Sequence, residues 1–368
     1  MQVQNPVVST RARRDVIFSV LLLLVIVGGL LVYKTNGGLV RLQQVSSTGA
    51  LPINATALFP RQPATEQSVL ARSIAYLQLI GPAFIFGVLI AAAVRTFVSP
   101  AWIARVLSGG TVRQHVAAGI SGAPLMLCSC CVAPVFTAVY ERSARLGPSL
   151  AMALAAPSLN PIALALTFML FQPSIAVARL AMALAVVFLI APAIGRFAGQ
   201  VGRLKAAPTT EAAAAEYGRE AASNDAAGAR APSVASFLAS CGYVAVRTVP
   251  LLIGGVLISM WLAGSIPVAA AGASTLGLAA AVAVASLIAM PLAMPTFFEI
   301  PLALTLAAAG APAGAVAAVL FAGPAINLPS LLTIARVTTW RVAALVAASV
   351  AIVACGGGLA LSAAGGLP

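Results

Sequence analysis

The sequence predicts an all-α, polytopic integral membrane protein, with an inverted-topology internal repeat and two discontinuous, hairpin-like helical stretches. The first observation behind this is composition: of 368 residues, 61% are hydrophobic and only 8% are charged, with a mean hydropathy of +1.03. A soluble domain carries about a quarter charged residues, so this chain could not cover a water-exposed surface. The second observation is a set of scarce residues that recurs at one constant offset.

Seven apolar runs approach or exceed the roughly 20 residues that a membrane-spanning helix needs. They are 16–33, 73–94, 148–171, 174–195, 237–262, 314–335 and 340–363. The first run follows Arg11, Arg13 and Arg14 and has no small-residue cleavage site after it. We therefore expect an uncleaved span with a cytoplasmic N-terminus rather than a signal peptide.

Two further apolar stretches, 112–146 and 272–312, are interrupted by proline and glycine. The expected breakers are Pro124 and Pro134 in the first stretch, and Pro291 and Pro301 in the second. Proline removes a backbone donor and kinks or ends a helix. Non-helical backbone at membrane depth is tolerated only where protein buries it or where it lines a cavity. We expect each stretch to form two helical arms that meet at a non-helical tip.

The two halves align without a gap over residues 122–161 and 289–328. At an offset of 167, the matched pairs are Pro124 with Pro291, Pro134 with Pro301, Gly147 with Gly314, Pro157 with Pro324, and Asn160 with Asn327. Chance similarity between Ala- and Leu-rich segments explains aliphatic matches, but not this ordered set. The predicted organisation is an N-terminal span and outer loop (1–70), a first repeat (71–198), a linker (199–235) and a second repeat (236–368).

The Lys and Arg residues set the expected orientation, because cytoplasmic loops are enriched in them. Threading from a cytoplasmic N-terminus places the linker 199–235 inside and the C-terminus outside, in the periplasm of a bacterial inner membrane. It also assigns Lys34, Arg41 and Arg179 to the outer side. With three full crossings in each half, the halves would lie upside down relative to each other, an arrangement typical of secondary transporters.

The segment "PLMLCSCCVAP" (124–134) places Cys128, Cys130 and Cys131 at the first predicted tip. Thiolates at an irregular tip can bind soft ions or metalloids. A disulfide between Cys128 and Cys131 and simple packing of small apolar side chains are the alternatives. Packing suits the isolated Cys241 and Cys355. A structural zinc would need a fourth ligand, so we predict no resident metal.

The second tip, in "PTFFEIP" (295–301), carries Glu299. A carboxylate at membrane depth is costly and usually functional. We expect Glu299 either to carry protons or to form a static pair, with Arg247 as the candidate partner in both roles. Asn160 and Asn327 each lie beside prolines, where an amide can cap freed backbone groups or bind substrate. Both are candidate substrate-binding residues.

The segments "GAPLMLCSCCVAP", "GPSLAMALAAPSLNP", "PLAMPTFFEIP" and "GPAINLPSLL" resemble the predicted permease family that includes the organoarsenical efflux permease ArsP and the YraQ-like permeases. The resemblance covers roughly residues 73–364. It implies an inner-membrane permease in which Cys128, Cys130 and Cys131 meet a thiophilic substrate. Cys131 stands where many relatives carry Gly.

Together these features predict a secondary transporter that exports a soft solute, such as a metalloid or organoarsenical, by proton exchange. A membrane thiol–disulfide oxidoreductase and an importer of the same fold are the alternatives. The sequence has no G-x-x-x-x-G-K-[ST] motif for ATP and no haem or flavin motif, so we predict no cofactor and no enzymatic activity. The expected partners are the lipid bilayer and a small-molecule or ion substrate, and not nucleic acid, because membrane loops account for the net charge of +13. An oligomer is left open.

Overall fold

The computed structural model describes residues 10–49, 69–98, 111–143, 145–201, 234–265 and 277–364. Within these ranges the chain is helical and contains no strand, which confirms the predicted all-α class. Most of the predicted linker 199–235 and residues 50–68 of the predicted outer loop lie outside the described residues, as do the side chains of Arg11, Arg13 and Arg14.

Fourteen α-helices follow one another through the described ranges. In chain order they are α1 (Thr10–Thr48), α2 (Val69–Phe97), α3 (Thr111–Gly122), α4 (Ser129–Ser143), α5 (Leu146–Ser158), α6 (Pro161–Leu170), α7 (Pro173–Ala185), α8 (Ala191–Val201), α9 (Val234–Ser265), α10 (Leu278–Ala289), α11 (Glu299–Ala308), α12 (Ala313–Ala325), α13 (Leu328–Val337) and α14 (Trp340–Ala363). A π-helical turn, Val186–Ile190, joins α7 to α8 in one continuous helix.

Five of these helical segments are long and apolar enough to cross a membrane: α1, α2, α7 with α8, α9 and α14. The pair α5 and α6 bends by 41° and the pair α12 and α13 by 46°, and counting each pair as one span gives seven. All seven overlap the predicted spans. The first is longer than predicted, because α1 continues to Thr48. The outer loop expected from residue 34 is therefore wrong as far as residue 48, and Lys34 and Arg41 lie on a helix.

Both interrupted stretches contain the expected non-helical tip. A 3₁₀ turn and residues 126–128 separate α3 from α4, and residues 290–298 separate α10 from α11. Pro124 and Pro291 lie in these breaks, as predicted. The assignment of Pro134 and Pro301 as breakers is wrong, because both lie inside helices. Pro301 falls in the first turn of α11, where no intrahelical backbone donor is needed, and α4 continues through Pro134 despite the donor it lacks there.

The helix boundaries themselves recur at the offset of 167. Helices α3, α5 and α6 occupy 111–122, 146–158 and 161–170, and α10, α12 and α13 occupy 278–289, 313–325 and 328–337. The next helix begins at Pro173 in the first half and at Trp340 in the second. These boundaries repeat residue for residue, whereas the helices that follow the two tips, α4 and α11, differ by two or three residues at each end. The upside-down relation of the two halves stays a prediction.

Helices α5 and α12 run through the interior of the bundle. All residues of α12 and all but the first of α5 are buried, and most of them are Ala, Gly or small polar residues. Small residues let helix backbones approach closely in a membrane. Helices α3 and α4 pack on α5, while α10 and α11 pack on α12. The two tips are therefore held inside protein rather than facing lipid.

Candidate functional site

The sulfur tip, residues 126–131, is the non-helical end of the first interrupted stretch and the start of α4. Met126 has a φ of 49°, a left-handed conformation that is uncommon for residues other than glycine. The Cys128 carbonyl accepts hydrogen bonds from the backbone N–H groups of Cys131 and Val132, each at 3.0 Å. The tip thus turns sharply and then starts a helix, which brings side chains three residues apart onto one side.

The three thiols of the sulfur tip converge. The Cys128 Sγ lies 3.1 Å from the Cys130 Sγ and 2.7 Å from the Cys131 Sγ, and the last two are 3.8 Å apart. All three are free and buried, and the Tyr76 hydroxyl on α2 lies 3.4 Å from the Cys130 Sγ. Three soft donors this close can share one thiophilic ion. The isolated Cys241 and Cys355 lie on α9 and α14 and do not belong to the cluster.

Helix α2 approaches the sulfur tip at Gly87. A Cβ atom at this position would collide with the backbone carbonyl oxygen of Cys131. Glycine is required here because the two backbones pack closely. The contact supports the tip where α2 packs on α4.

A cavity of about 140 Å³ opens beside the sulfur tip, and Cys128 is the thiol that lines it. Its other walls come from α1, from α2 and from the second interrupted stretch. The lining residues are Tyr33, Lys34, Gly37 and Arg41 of α1, Leu79, Ile80 and Ala83 of α2, and residues 295–298. The two interrupted stretches therefore contribute to one cavity. A second cavity of about 20 Å³ lies beside Ser129, against residues of α5, α12 and α13.

The acidic tip, residues 290–299, faces the cavity from the second repeat. Phe297 has a φ of 77°, so this tip also holds one residue in the left-handed region. The Lys34 Nζ donates to the Thr296 Oγ1 at 3.3 Å, and the Arg41 guanidinium lies 4.7 Å from the centre of the Phe297 ring. Helix α1 thus brings two cations into the cavity. The prediction of an outer loop from residue 34 did not anticipate this position for Lys34 and Arg41.

Glu299 forms a buried ion pair with Arg179, not with Arg247. The Arg179 Nη2 lies 3.0 Å from the Glu299 Oε1, and the two side chains are 1% and 2% exposed. Arg179 also donates to the Thr167 hydroxyl, and its Nη1 lies 3.5 Å from the Ala163 carbonyl oxygen. The pair joins α7 of the first repeat to α11 of the second. Arg179 therefore lies inside the protein rather than in a loop, as its position in the apolar run 174–195 indicates, and its assignment to the outer side of the membrane stays a prediction.

The predicted pairing of Arg247 with Glu299 is wrong. Arg247 is 49% exposed, and its Nη1 lies 3.4 Å from the Glu141 Oε1. Glu141 also pairs with Arg95 of α2. The two guanidinium groups lie over the Tyr243 ring, at 4.0 Å for Arg95 and 4.2 Å for Arg247. This half-exposed network joins α2, α4 and α9 away from the cavity lining.

Asn160 and Asn327 cap helices at equivalent positions of the two repeats. The Asn160 Oδ1 accepts from the backbone of Ile162 at 3.1 Å and of Ala163 at 3.3 Å. The Asn327 Oδ1 accepts from the Ser330 backbone at 3.1 Å, and the Ser330 hydroxyl accepts in return from the Asn327 N–H. The capping interpretation is confirmed for both. Each buried Nδ2 group has no hydrogen-bond partner within the described ranges, so it can still donate to a ligand. Substrate binding by either amide stays a prediction.

Comparison with known proteins agrees with this architecture. The chain matches the family described as predicted permeases over residues 13–129 and 115–362. It is 26% identical over 309 residues to the UPF0718 protein YraQ of Escherichia coli (strain K12), a match that covers 80% of this chain and 81% of that protein. A 91-residue segment is 31% identical to the UPF0718 protein MJ0584 of Methanocaldococcus jannaschii, covering 25% of each chain. No solved structure matches the chain.

Proposed function

Because the chain belongs to this family of predicted permeases, we propose that it is a secondary transporter that exports a soft, thiophilic solute, such as a metalloid or an organoarsenical, in exchange for protons. Its apolar helices place it in a lipid bilayer, where a permease handles small solutes. Membership favours transport over catalysis.

The observation that carries this proposal is the convergence of three buried thiols at a non-helical tip whose first thiol lines a cavity. Thiolate sulfur prefers soft metals and metalloids over hard cations. Three ligands rather than four suit a carrier, because a closed four-ligand cage is typical of structural sites. Sulfur ligands exchange one at a time, which would allow bound solute to leave.

The cavities on two sides of the sulfur tip support an alternating-access mechanism. The cavity at Cys128 lies against the acidic tip, and the smaller cavity at Ser129 lies against α12 and α13. Transporters with discontinuous helices bind substrate where the repeats meet and move one repeat against the other. The cavity beside Ser129 has room for little more than one water molecule, so a rotation of α4 that also widens it would carry the solute from one cavity to the other. The unpaired amides of Asn160 and Asn327 are the proposed polar contacts along this route.

The ion pair of Glu299 and Arg179 is the proposed coupling element. Proton binding neutralises Glu299 and removes its attraction for Arg179, which still has the Thr167 hydroxyl as a partner. Because the pair joins the two repeats, its release would loosen their contact near the cavity. A proton bound in one state and released in the other would then drive the solute outward.

Transport of defined solutes by whole cells and by proteoliposomes tests the proposal. Cys128→Ser and Cys131→Ser should lose flux of phenylarsonous acid while the protein still inserts, because serine keeps the size but is a hard, weak ligand. Cys241→Ser and Cys355→Ser are the matched controls and should transport normally. Normal transport by every variant of the cluster would leave the sulfur a packing role.

Glu299→Gln is the test of proton coupling. This variant should bind solute but lose flux driven by a pH gradient, because an amide cannot exchange protons. Full gradient-driven flux would leave Glu299 a structural role. Measuring flux in vesicles of both orientations separates export from import by the same fold.

A thiol–disulfide oxidoreductase is the second candidate, favoured by the 2.7 Å between the Cys128 and Cys131 sulfurs. Oxidation of the two thiols to a disulfide would release two protons and pass two electrons to a quinone or to a disulfide of a partner protein. Activity that requires the Cys128–Cys131 disulfide and persists without any solute would favour this candidate. Activity that is insensitive to the thiol redox state would exclude it.

The proposed orientation is a cytoplasmic N-terminus, a cytoplasmic linker and a periplasmic C-terminus in the bacterial inner membrane. Reporter fusions at Ala222 and Pro368, both outside the described residues, should score on opposite sides. Reporters on the same side would contradict the inverted arrangement of the repeats.

A further inference from the structure

Two cations, Lys34 and Arg41, line the cavity beside Cys128, and neither forms an ion pair with a described carboxylate. Lys34 interacts with a hydroxyl and Arg41 with an aromatic ring. Among the residues whose side chains the structure describes, the carboxylates are Glu141 and Glu299, and both form their ion pairs elsewhere. Glu299 lies close enough to attract Arg41 but is ion-paired with Arg179, so no described carboxylate forms an ion pair with Lys34 or Arg41.

Lys34 and Arg41 are seven residues apart on α1, which places them about two turns apart on the same face of the helix. Both are half-buried and contact the acidic tip. Two like charges beside an apolar wall repel each other and lose hydration. An anion between them would relieve both costs, because electrostatic attraction is stronger away from bulk water.

The rest of the cavity divides into an apolar zone and a sulfur zone. Tyr33, Leu79 and the rings of Phe297 and Phe298 form the apolar walls, and Cys128 contributes the thiol. The volume of about 140 Å³ is below the roughly 300–1,000 Å³ of pockets for drug-sized ligands. A small solute with a charged end, an apolar body and one thiophilic atom matches these three zones.

We propose that this cavity is an anion-selective vestibule and that the solute reaching Cys128 carries a negative charge. The inference rests on the proposed role of Cys128 in binding a soft solute and adds the charge class of that solute. Lys34 and Arg41 hold the anionic group, and the thiophilic atom meets the sulfur tip. Neutral solutes of the same size lack the attraction to the two cations.

A matched pair of probes separates charge from sulfur affinity. The probes are 4-carboxyphenylarsonous acid and 4-carbamoylphenylarsonous acid, which differ in charge but hardly in size. Protection of Cys128 from alkylation, read by mass spectrometry on the purified full chain, reports binding at this site. The carboxylate should protect at about tenfold lower concentration than the carboxamide, and added salt should reduce the difference.

Variants of the two cations test the cause of the preference. In Lys34→Gln/Arg41→Gln the probes should protect at concentrations within about twofold of each other. The charge-retaining pair Lys34→Arg/Arg41→Lys should keep the preference, and so should Arg247→Gln, which removes a cation outside the cavity. The wild-type comparison needs no variant, so the inference can be judged even if a variant does not fold.

Equal protection by both probes in the wild type would overturn the inference and leave the proposed function intact. Equal weakening of both probes in the double variant would also overturn it, because the cations would then act only on the thiolate. If neither arsenical protects, the soft-solute function fails. The anion selectivity of the cavity is then tested by comparing the thermal stability of the purified protein in benzoate with that in benzamide. Stabilisation by benzoate alone would support it, and equal or absent stabilisation would refute it.

Discussion

The sulfur tip and the acidic tip occupy corresponding parts of the two repeats but hold themselves in place differently. Each ends a helix that is shifted by 167 residues from its counterpart, and each contains one non-glycine residue at positive φ. At the sulfur tip the thiols lie against one another, the Tyr76 hydroxyl lies 3.4 Å from the Cys130 Sγ, and α2 approaches closely at Gly87. The acidic tip is anchored from outside, by Arg179, Lys34 and Arg41.

The two repeats therefore share the position of the helix break but differ in the side chains at the tip, which are thiols in the first repeat and a carboxylate in the second. A tip whose partners Tyr76 and Gly87 lie in its own repeat can open toward a ligand without breaking the ion pair between the repeats. A tip held by a buried ion pair from the other repeat changes only when that pair changes. The proposed binding at the first tip and the proposed coupling at the second fit these two kinds of anchoring.

The largest expected effect comes from removing one partner of the acidic tip's ion pair. Arg179→Met should destabilise the protein by about 3–5 kcal/mol, because it leaves Glu299 as an uncompensated buried acid. The double variant Arg179→Met/Glu299→Met should regain most of that loss. Thermal unfolding in detergent measures both. A single variant as stable as the wild type would remove the distinction between the two tips.

The sulfur tip should respond to the backbone contact that supports it. Gly87→Ala should cost about 1–3 kcal/mol, because the added methyl group overlaps the Cys131 carbonyl and forces α2 and α4 apart. Gly81→Ala, on the same helix, has open space around the added atom and is the matched control. Equal stability of the two variants in the same unfolding assay would show that α2 does not support the tip.

The two asparagine caps provide a reference for positions that have not diverged. Asn160→Ala and Asn327→Ala should each cost about 1 kcal/mol, the usual loss for a helix cap. Similar losses would show that the repeats share their architecture and differ at the tips. A difference well above that value would extend the divergence to the caps.

The smallest effect is expected at the half-exposed pair of Arg247 and Glu141. Arg247→Gln should change stability by no more than about 1 kcal/mol, because exposed ion pairs contribute little and Glu141 keeps Arg95. High salt should reduce even that change. A loss as large as that of Arg179→Met would contradict the contrast between buried and exposed pairs.

Hydropathy predicted the spans, and the proline positions together with the 167-residue offset predicted both tips, because these features depend on local sequence. Capping by Asn160 and Asn327 was one of the two roles that the neighbouring prolines suggested. The partner of Glu299 could not be found in this way. It depends on which helices pack together, and Arg179 lies 120 residues away along the chain. The length of α1 was also underestimated, because Lys and Arg that follow an apolar run are typical of a loop. The cavity that Lys34 and Arg41 line is formed by helix packing, which the local sequence does not reveal. The presence of proline wrongly predicted helix breaks at Pro134 and Pro301, which both lie inside helices.

The most direct test of the central claim is arsenic X-ray absorption on the purified protein loaded with one equivalent of phenylarsonous acid. We predict arsenic bound by two sulfur neighbours in the wild type and in Cys241→Ser/Cys355→Ser, since the carbon-bound arsenic of this probe offers two ligand positions. Sulfur coordination should disappear in Cys128→Ser/Cys130→Ser/Cys131→Ser. Unchanged sulfur coordination in the triple variant would place the soft site elsewhere and contradict the account.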